Sequence, residues 1–219
     1  MTSTATDYLE AIDHLPVGGT LYLSGVSWDE YEELLEEIDE KRHVRISYDN
    51  GRMEIMSLSP EHEGFASLFG YLILVLTEEL GLEYVSRRST TFKRKRMLQG
   101  KEPDDCFYIG DLIRVLGKKR LDLDFDSPPD LAIEVDVTNP TLDKMAIYAG
   151  LGVPEVWRFD DGEVEFYRFA GKRYQQVSTS ALFPFLPPSV VADHLCIGDT
   201  QSINAMSHAF RNWVQAHKP

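Results

Sequence analysis

Apolar and polar positions alternate most strictly along residues 128–140, PPDLAIEVDVTNP. Leu131, Ile133, Val135 and Val137 fall on one side of an extended chain, and Asp130, Ala132, Glu134 and Asp136 on the other. The spacing predicts a strand with one buried aliphatic face and with Glu134 and Asp136 roughly 7 Å apart on the opposite face, at a rise of about 3.3 Å per residue. Three carboxylates on so short a face repel one another. Burying them requires a divalent cation, a Lys or Arg, or water at the strand end; a wet strand edge that simply solvates the acids satisfies the same pattern.

Residues 1–26 mix Thr, Asp and Gly around a short apolar stretch without a strong period, and read as an N-terminal arm packed on the body. Ser27 and Glu30 have capping-box spacing, which predicts a helix running to about Glu40. Residues 43–48 and 52–56 flank Asp49-Asn50-Gly51, a hairpin signature, because Asn-Gly accepts the positive φ angles of a tight turn. Ser59-Pro60 opens a helix that is apolar nearly all round over residues 65–76 and ends near Glu79 or Leu80, at Gly81. In its first turn, Glu61 fits a functional role and mere complementarity to the helix dipole equally well. His62 reads as making a local hydrogen bond rather than taking part in catalysis.

Residues 103–109 predict a short core strand entered through Pro103, with Asp104, Cys106 and Tyr108 on one face and Asp105, Phe107 and Ile109 on the other. Residues 110–127, with Lys118, Lys119 and Arg120, read as a connection along the surface. A helix over 141–148 follows, capped by Thr138 or Thr141 and stopped by Gly150 or Gly152. A parallel strand over 153–159 should return by a right-handed crossover, and strands over 163–169 and 174–177 extend the sheet as a meander. After a proline-rich linker at 183–188, Ile203, Met206, Phe210 and Trp213 recur at helical spacing within 200–217, a face for the body or for a partner chain. His208 and His217 on that helix should be exposed. The pattern is that of an α/β fold, a mixed sheet flanked by helices, and we expect a single domain over 1–219.

Composition narrows the chemistry. A chain of 219 residues with 43% hydrophobic content can bury one full core. Its formal net charge of -14 repels nucleic acid at long range, so any nucleic-acid role needs a local basic patch. One stretch qualifies: Arg87, Arg88, Lys93, Arg94, Lys95, Arg96 and Lys101 occur with no acidic residue among them. It reads either as a polyanion-binding patch or as a strand edge guarded by cations against sheet-to-sheet pairing. Cys106 and Cys196 have no metal-site or disulfide spacing, which suits a reducing cytoplasm. The longest apolar run, 65–76, is too short to span a bilayer, so a soluble cytoplasmic protein is expected.

Acids at Asp104 and Glu134 thus open or line two strands, with a lysine on the helix that follows. Paired carboxylates suit Mg²⁺, which binds through one or two of them plus waters and phosphate oxygens. A lysine beside such an ion can orient or deprotonate the attacking water.

EPDDCFYI at 102–109, PPDLAIEVDVTNP, LDKMAIYAGLG at 142–152 and GVPEVWRFD at 152–160 resemble the putative restriction endonuclease family, formerly a domain of unknown function, of the PD-(D/E)XK nuclease superfamily. The matching region spans 60–160. The resemblance implies a nuclease-like core of helix, three strands, helix and strand, and a Mg²⁺-dependent endonuclease, with Mn²⁺ as a substitute. It assigns Asp104 to the PD aspartate, Glu134 to the D/E position and Glu61 to the acidic position of the first core helix. Asp130 repeats a PD pair and could bind a strand or loop amide instead. Asp136 stands where the superfamily has its strand lysine, and a carboxylate cannot supply that positive charge. Lys144 is the migrated substitute, its flexible stem reaching back to the strand end; the alternative is an ion pair with Asp136 or Asp143.

The implied partner is nucleic acid, with DNA the expected form, held by Arg87, Arg88, Lys93, Arg94, Lys95 and Arg96. Two copies acting together would suit cutting of both strands, and no membrane is involved. The opposing reading is a catalytically inactive interaction protein that kept the fold; the net charge, Asp136 and the amphipathic C-terminal helix favour it. A small-molecule hydrolase would need a signature such as Gly-x-Ser-x-Gly, which the chain lacks.

Overall fold

The computed structural model describes residues 5–38, 42–136 and 142–219. Regular structure starts earlier than expected, because the N-terminal arm folds into α1 (Ala5–Asp13) and β1 (Thr20–Ser24). Tyr8 and Ile12 of α1 are buried, and Leu21 and Leu23 alternate onto the same core. That alternation is too short to stand out in the sequence. Next comes α2 (Trp28–Glu37), whose N-terminus carries a full capping box: the Ser27 hydroxyl accepts from the Glu30 amide, and the Glu30 carboxylate accepts from the Ser27 amide at 2.7 Å. Such a cap contributes about 1 kcal/mol. The helix gives way to extended backbone at Ile38, and its expected end, Glu40, lies outside the described residues.

The predicted hairpin is β2 (Val44–Asp49) and β3 (Arg52–Ser57). Asn50 and Gly51 take φ values of 49° and 85°, the left-handed pair that a two-residue turn between twisted strands requires. The long helix is α3 (Pro60–Leu80), begun by Ser59, whose hydroxyl accepts from the His62 amide, and ended by Gly81 in the left-handed conformation. Then follow β4 (Tyr84–Ser86), β5 (Phe92–Arg94), a 3-10 turn at Lys95–Met97, β6 (Gln99–Lys101), β7 (Asp105–Ile109) and β8 (Leu131–Asp136). After these come α4 (Lys144–Leu151), β9 (Glu155–Asp160), β10 (Glu163–Phe169) and β11 (Tyr174–Val177). The chain finishes with α5 (Pro188–Thr200) and α6 (Ile203–His217).

The strands form two sheets, a five-stranded one in the order β1-β3-β2-β6-β5 and a six-stranded one in the order β11-β10-β9-β8-β7-β4. Among the described residues, β8 and β9 are the one parallel pair. Within the larger sheet the succession α3-β4-β7-β8-α4-β9 reproduces the expected nuclease-like order of helix, three strands, helix and strand. β8 divides the core as its alternation requires. Leu131, Ile133 and Val135 pack with α3, α5 and α6, while Ala132 packs with Cys106, Tyr108, Ile147 and Tyr148 on the other side. Val137 lies outside the described residues.

Three local expectations change. The cap of α4 is Asp143, whose carboxylate accepts from the Ala146 amide at 3.1 Å; Thr138 and Thr141 lie outside the described residues. The proline-rich linker leads straight into α5, because a proline at the first helical position carries no N–H that the helix would need. The apolar stripe of α6 turns onto the body, against α3 and α5, with Met206, Phe210 and Val214 buried in the core they share. His208 and His217 are exposed, as expected. No helix of the described residues is long and apolar enough to cross a membrane.

Candidate active site

The antiparallel register of β7 and β8 sets Asp105 opposite Ile133, which brings Asp104, just ahead of β7, beside Glu134. The Asp104 amide donates to the Ile133 carbonyl at 3.1 Å, and the Val135 amide donates to Asp104 Oδ2 at 2.7 Å. From β8 itself come Glu134 and Asp136, and α4, which begins soon after, supplies Lys144 and Tyr148. All five side chains are buried.

Lys144 Nζ stands 3.0 Å from Glu134 Oε2 and 2.6 Å from Asp136 Oδ1, so the expected pairing with Asp136 and the expected reach toward Glu134 occur together. Asp136 is held from its other side by Arg158 at 2.6 Å. The Tyr148 hydroxyl donates to Glu134 Oε1. The same oxygen takes a second ammonium, Lys101 Nζ at 2.9 Å, delivered from β6 of the smaller sheet. That sheet also sends Arg45 to within 3.7 Å of Asp104. The first turn of α3 places His62 Nε2 at 3.3 Å from Asp104 Oδ2.

These neighbours push the two carboxyls apart. Burial and the nearby Glu134 charge raise Asp104 well above the usual carboxylate range. Burial acts the same way on Glu134, but the Lys101 and Lys144 ammoniums outweigh it and hold Glu134 low. The pair therefore titrates as a unit in which Glu134 keeps the charge and Asp104 takes the first proton. Burial lowers His62 to about 4, against the pull of Glu134, so its imidazole is neutral at neutral pH. For Lys144, burial works against the charge, and Glu134 and Asp136 more than restore it.

Asp104 Oδ1 and both ring nitrogens of His62 are buried without a hydrogen-bond partner, and Glu134 Oε2 has only the Lys144 ammonium beside it. Buried carboxylate oxygens that face each other from adjoining segments are a donor set that a hard divalent cation accepts, if the Lys144 ammonium yields its place. Asp104 and Glu134 could therefore hold Mg²⁺ or Mn²⁺, although among the described residues no three acidic, His or Cys side chains converge as a ready-made metal cage.

The structure brings Asp104, Glu134 and Lys144 together and leaves Glu61 exposed on the outer side of the α3 first turn. Asp130 binds amide and guanidinium instead, accepting from the Ile109 amide at 2.8 Å and pairing with Arg114. Most of the basic stretch faces protein groups. Arg87 donates to the Val115 carbonyl, Arg94 to the carbonyls of Leu123 and Gly150, Lys93 pairs with Glu32, Lys95 lies near Asp29 and Glu32, and Arg96 pairs with Asp124. Arg88 is exposed, 4.0 Å from Asp105.

The residues that sequence reasoning missed in this cluster are Arg45, Lys101, His62, Tyr148 and Arg158. The sequence groups Lys101 with the basic stretch, and nothing in a three-residue strand says which sheet it joins.

A scan against family models matches residues 28–195 to Uma2, described as a putative restriction endonuclease. Among solved structures, the chain is similar to a putative nuclease belonging to DUF820 from Anabaena variabilis ATCC 29413, at 15% identity over 82% of this chain and 97% of that one, with a TM-score of 0.48. No curated protein matches. With the family model covering most of its length, the chain belongs to the Uma2 family of putative restriction endonucleases.

Proposed function

We propose that the protein is a metal-dependent endonuclease that hydrolyses nucleic-acid phosphodiesters, with Asp104 and Glu134 holding Mg²⁺ and Lys144 completing the site. The observation that carries this reading is the pair of buried carboxylates from neighbouring strands that meet in one charged cluster, Asp104 with an oxygen free of hydrogen bonds and Glu134 with an oxygen held by the Lys144 ammonium alone. The ion, when bound, would acidify a water and offset charge growing on the phosphate. The rest falls to side chains of this chain. Lys144 bridges Glu134 and Asp136 and, with Lys101, keeps Glu134 ionised. Tyr148 and Lys101 fix the Glu134 carboxylate in one orientation. His62, neutral and buried beside Asp104, can accept a proton at Nε2. DNA is the proposed substrate, and a homodimer would present two such sites to opposite strands.

One observation favours the inactive interaction protein. Lys101, Lys144, Arg158 and Arg45 already offset Asp104, Glu134 and Asp136, so an ion must compete with resident cations. Incubating the purified protein with Mg²⁺ or Mn²⁺ and plasmid, linear or single-stranded DNA separates the readings. The wild type should cut. Glu134→Gln, which keeps the shape and removes the charge, should not, nor should Glu134→Ala. Equal cutting by all three would expose a contaminant, and a wild type that neither cuts nor releases heat on titration with metal would establish the inactive reading.

A further inference from the structure

Between β7 and β8, residues 110–130 form no helix or strand, although these strands are antiparallel neighbours that a short turn could join. Irregular connections longer than about 12–15 residues are uncommon in compact domains and usually functional. This one is fastened at several points. Val115, Leu121 and Leu123 are buried, the Tyr108 hydroxyl donates to the Ser127 carbonyl at 3.0 Å, and Arg87, Arg94 and Arg96 of the basic stretch are spent on Val115, Leu123 and Asp124.

On this fixed loop three large apolar side chains point outward: Phe125 is 90% exposed, Ile113 83% and Leu116 60%. Their exposure is not a by-product of slack chain. The acids of the loop are tied up locally, the exposed Asp111 and Asp122 accepting from the amides of Ile113 and Asp124, and the half-buried Asp126 holding Lys118. Lys119 and Arg120 are exposed and make no ion pair among the described residues.

The loop sits on the site's side of the sheet, since Val115, Leu121 and Leu123 pack with Ala132, Ile147 and Tyr148, the neighbours of Glu134 and Lys144. We infer that residues 110–127 are a nucleic-acid docking element, with Lys119 and Arg120 on phosphates and Phe125, Ile113 and Leu116 against bases.

Apolar wedges beside cations are the combination that unstacks or grips bases while neutralising the backbone. Because the loop is already ordered, docking forfeits little conformational entropy. Free outward cations in a chain of net charge -14 favour a polyanion, and adjacency to the phosphodiester site favours nucleic acid over a lipid surface or a second copy. The inference rests on the endonuclease reading and can fail without it.

The test measures binding of fluorescently labelled duplex and single-stranded DNA by anisotropy, with Ca²⁺ replacing Mg²⁺ and salt varied. Wild type is compared with Phe125→Ser, with the double variant Lys119→Gln/Arg120→Gln, and with Lys172→Gln at the exposed turn between β10 and β11 as the control. Phe125→Ser should bind about tenfold more weakly, the loss expected for one base contact. The double variant should flatten the dependence of log K on log salt by roughly two units on duplex. Unchanged thermal melting of the variants would show that the exposed positions leave the fold intact.

Unchanged affinity and slope, in a wild type that binds and cuts DNA, would overturn the docking role alone. A wild type that neither binds nor cuts would overturn both readings. Sedimentation and flotation with phosphatidylserine vesicles would then show whether a second copy or a lipid surface occupies the loop.

Discussion

At the scale of single residues the cluster is a balance of buried charge, and its members are not interchangeable. Removing Lys101 leaves Glu134 buried with one ammonium where it had two, and breaking a buried ion pair from one side costs about 3–5 kcal/mol. Lys101→Met should lower the urea midpoint accordingly with an unchanged m-value. Tyr148→Phe removes only a neutral donor to the same carboxylate and should cost about 1–3 kcal/mol in the same measurement. Asp104 and Glu134 were legible in the sequence because strand alternation and motif order place them without reference to the rest of the molecule, and Lys144 through the family resemblance, which supplies the strand lysine that Asp136 replaces. Lys101 was not, since its role depends on β6 pairing with β2 in a different sheet. His62 was hidden for a related reason. A helix apolar nearly all round does not reveal which side of its first turn faces inward, and the inward residue is His62, with Glu61 left outside.

At the scale of elements, the smaller sheet depends on a turn and on one close approach. Asp49 ends β2 beside the Asn50-Gly51 turn. Burial pushes its carboxyl up, but hydrogen bonds from Asn50 and Gln99 and the Arg52 guanidinium carry it below its ordinary value of 3.8. A folded value below the unfolded one means the stabilisation is complete above the unfolded value and is lost as pH falls through the folded one. Asp49→Asn should therefore remove part of the stability difference between pH 6 and the acid range below about 4, read from urea midpoints across pH. Gly100 marks the close approach. A Cβ there would meet the Tyr31 hydroxyl at 2.1 Å and its ring carbon at 2.7 Å, and that ring is buried and stacked on Tyr48 with centroids 4.6 Å apart. With nowhere for the ring to go, Gly100→Ala should cost about 1–3 kcal/mol through overpacking, checked by thermal unfolding. The hairpin and α2 could be read from local signals, Asn-Gly and Ser-x-x-Glu, whose geometry closes within a few residues. The folded arm could not, because β1 is a strand only by virtue of β3 beside it.

At the scale of the whole molecule, the candidate site is where the two sheets meet. Lys101 and Arg45 of the smaller sheet reach Glu134 and Asp104 of the larger, so occupancy of the site and the joining of the sheets are coupled. A divalent ion held by Asp104 and Glu134, as proposed, would stabilise only the folded chain, since the two carboxylates converge only there. The stabilisation is about 1.4 kcal/mol at ten times the dissociation constant. The resident ammoniums at 2.9 and 3.0 Å from Glu134 would oppose such an ion, so on the proposed reading half-saturation is expected on the order of millimolar, the weak end for sites with few net charges. Mn²⁺ should thus raise the thermal midpoint of the wild type only at millimolar concentration, and should leave Glu134→Gln unmoved. Lys101→Met gives the sharper reading. It begins less stable, yet with one opposing charge gone its midpoint should respond to Mn²⁺ at lower concentration than the wild type. A response that Lys101→Met leaves unchanged would mean that the ion binds elsewhere and that the Asp104–Glu134 pair is closed by its own lysines.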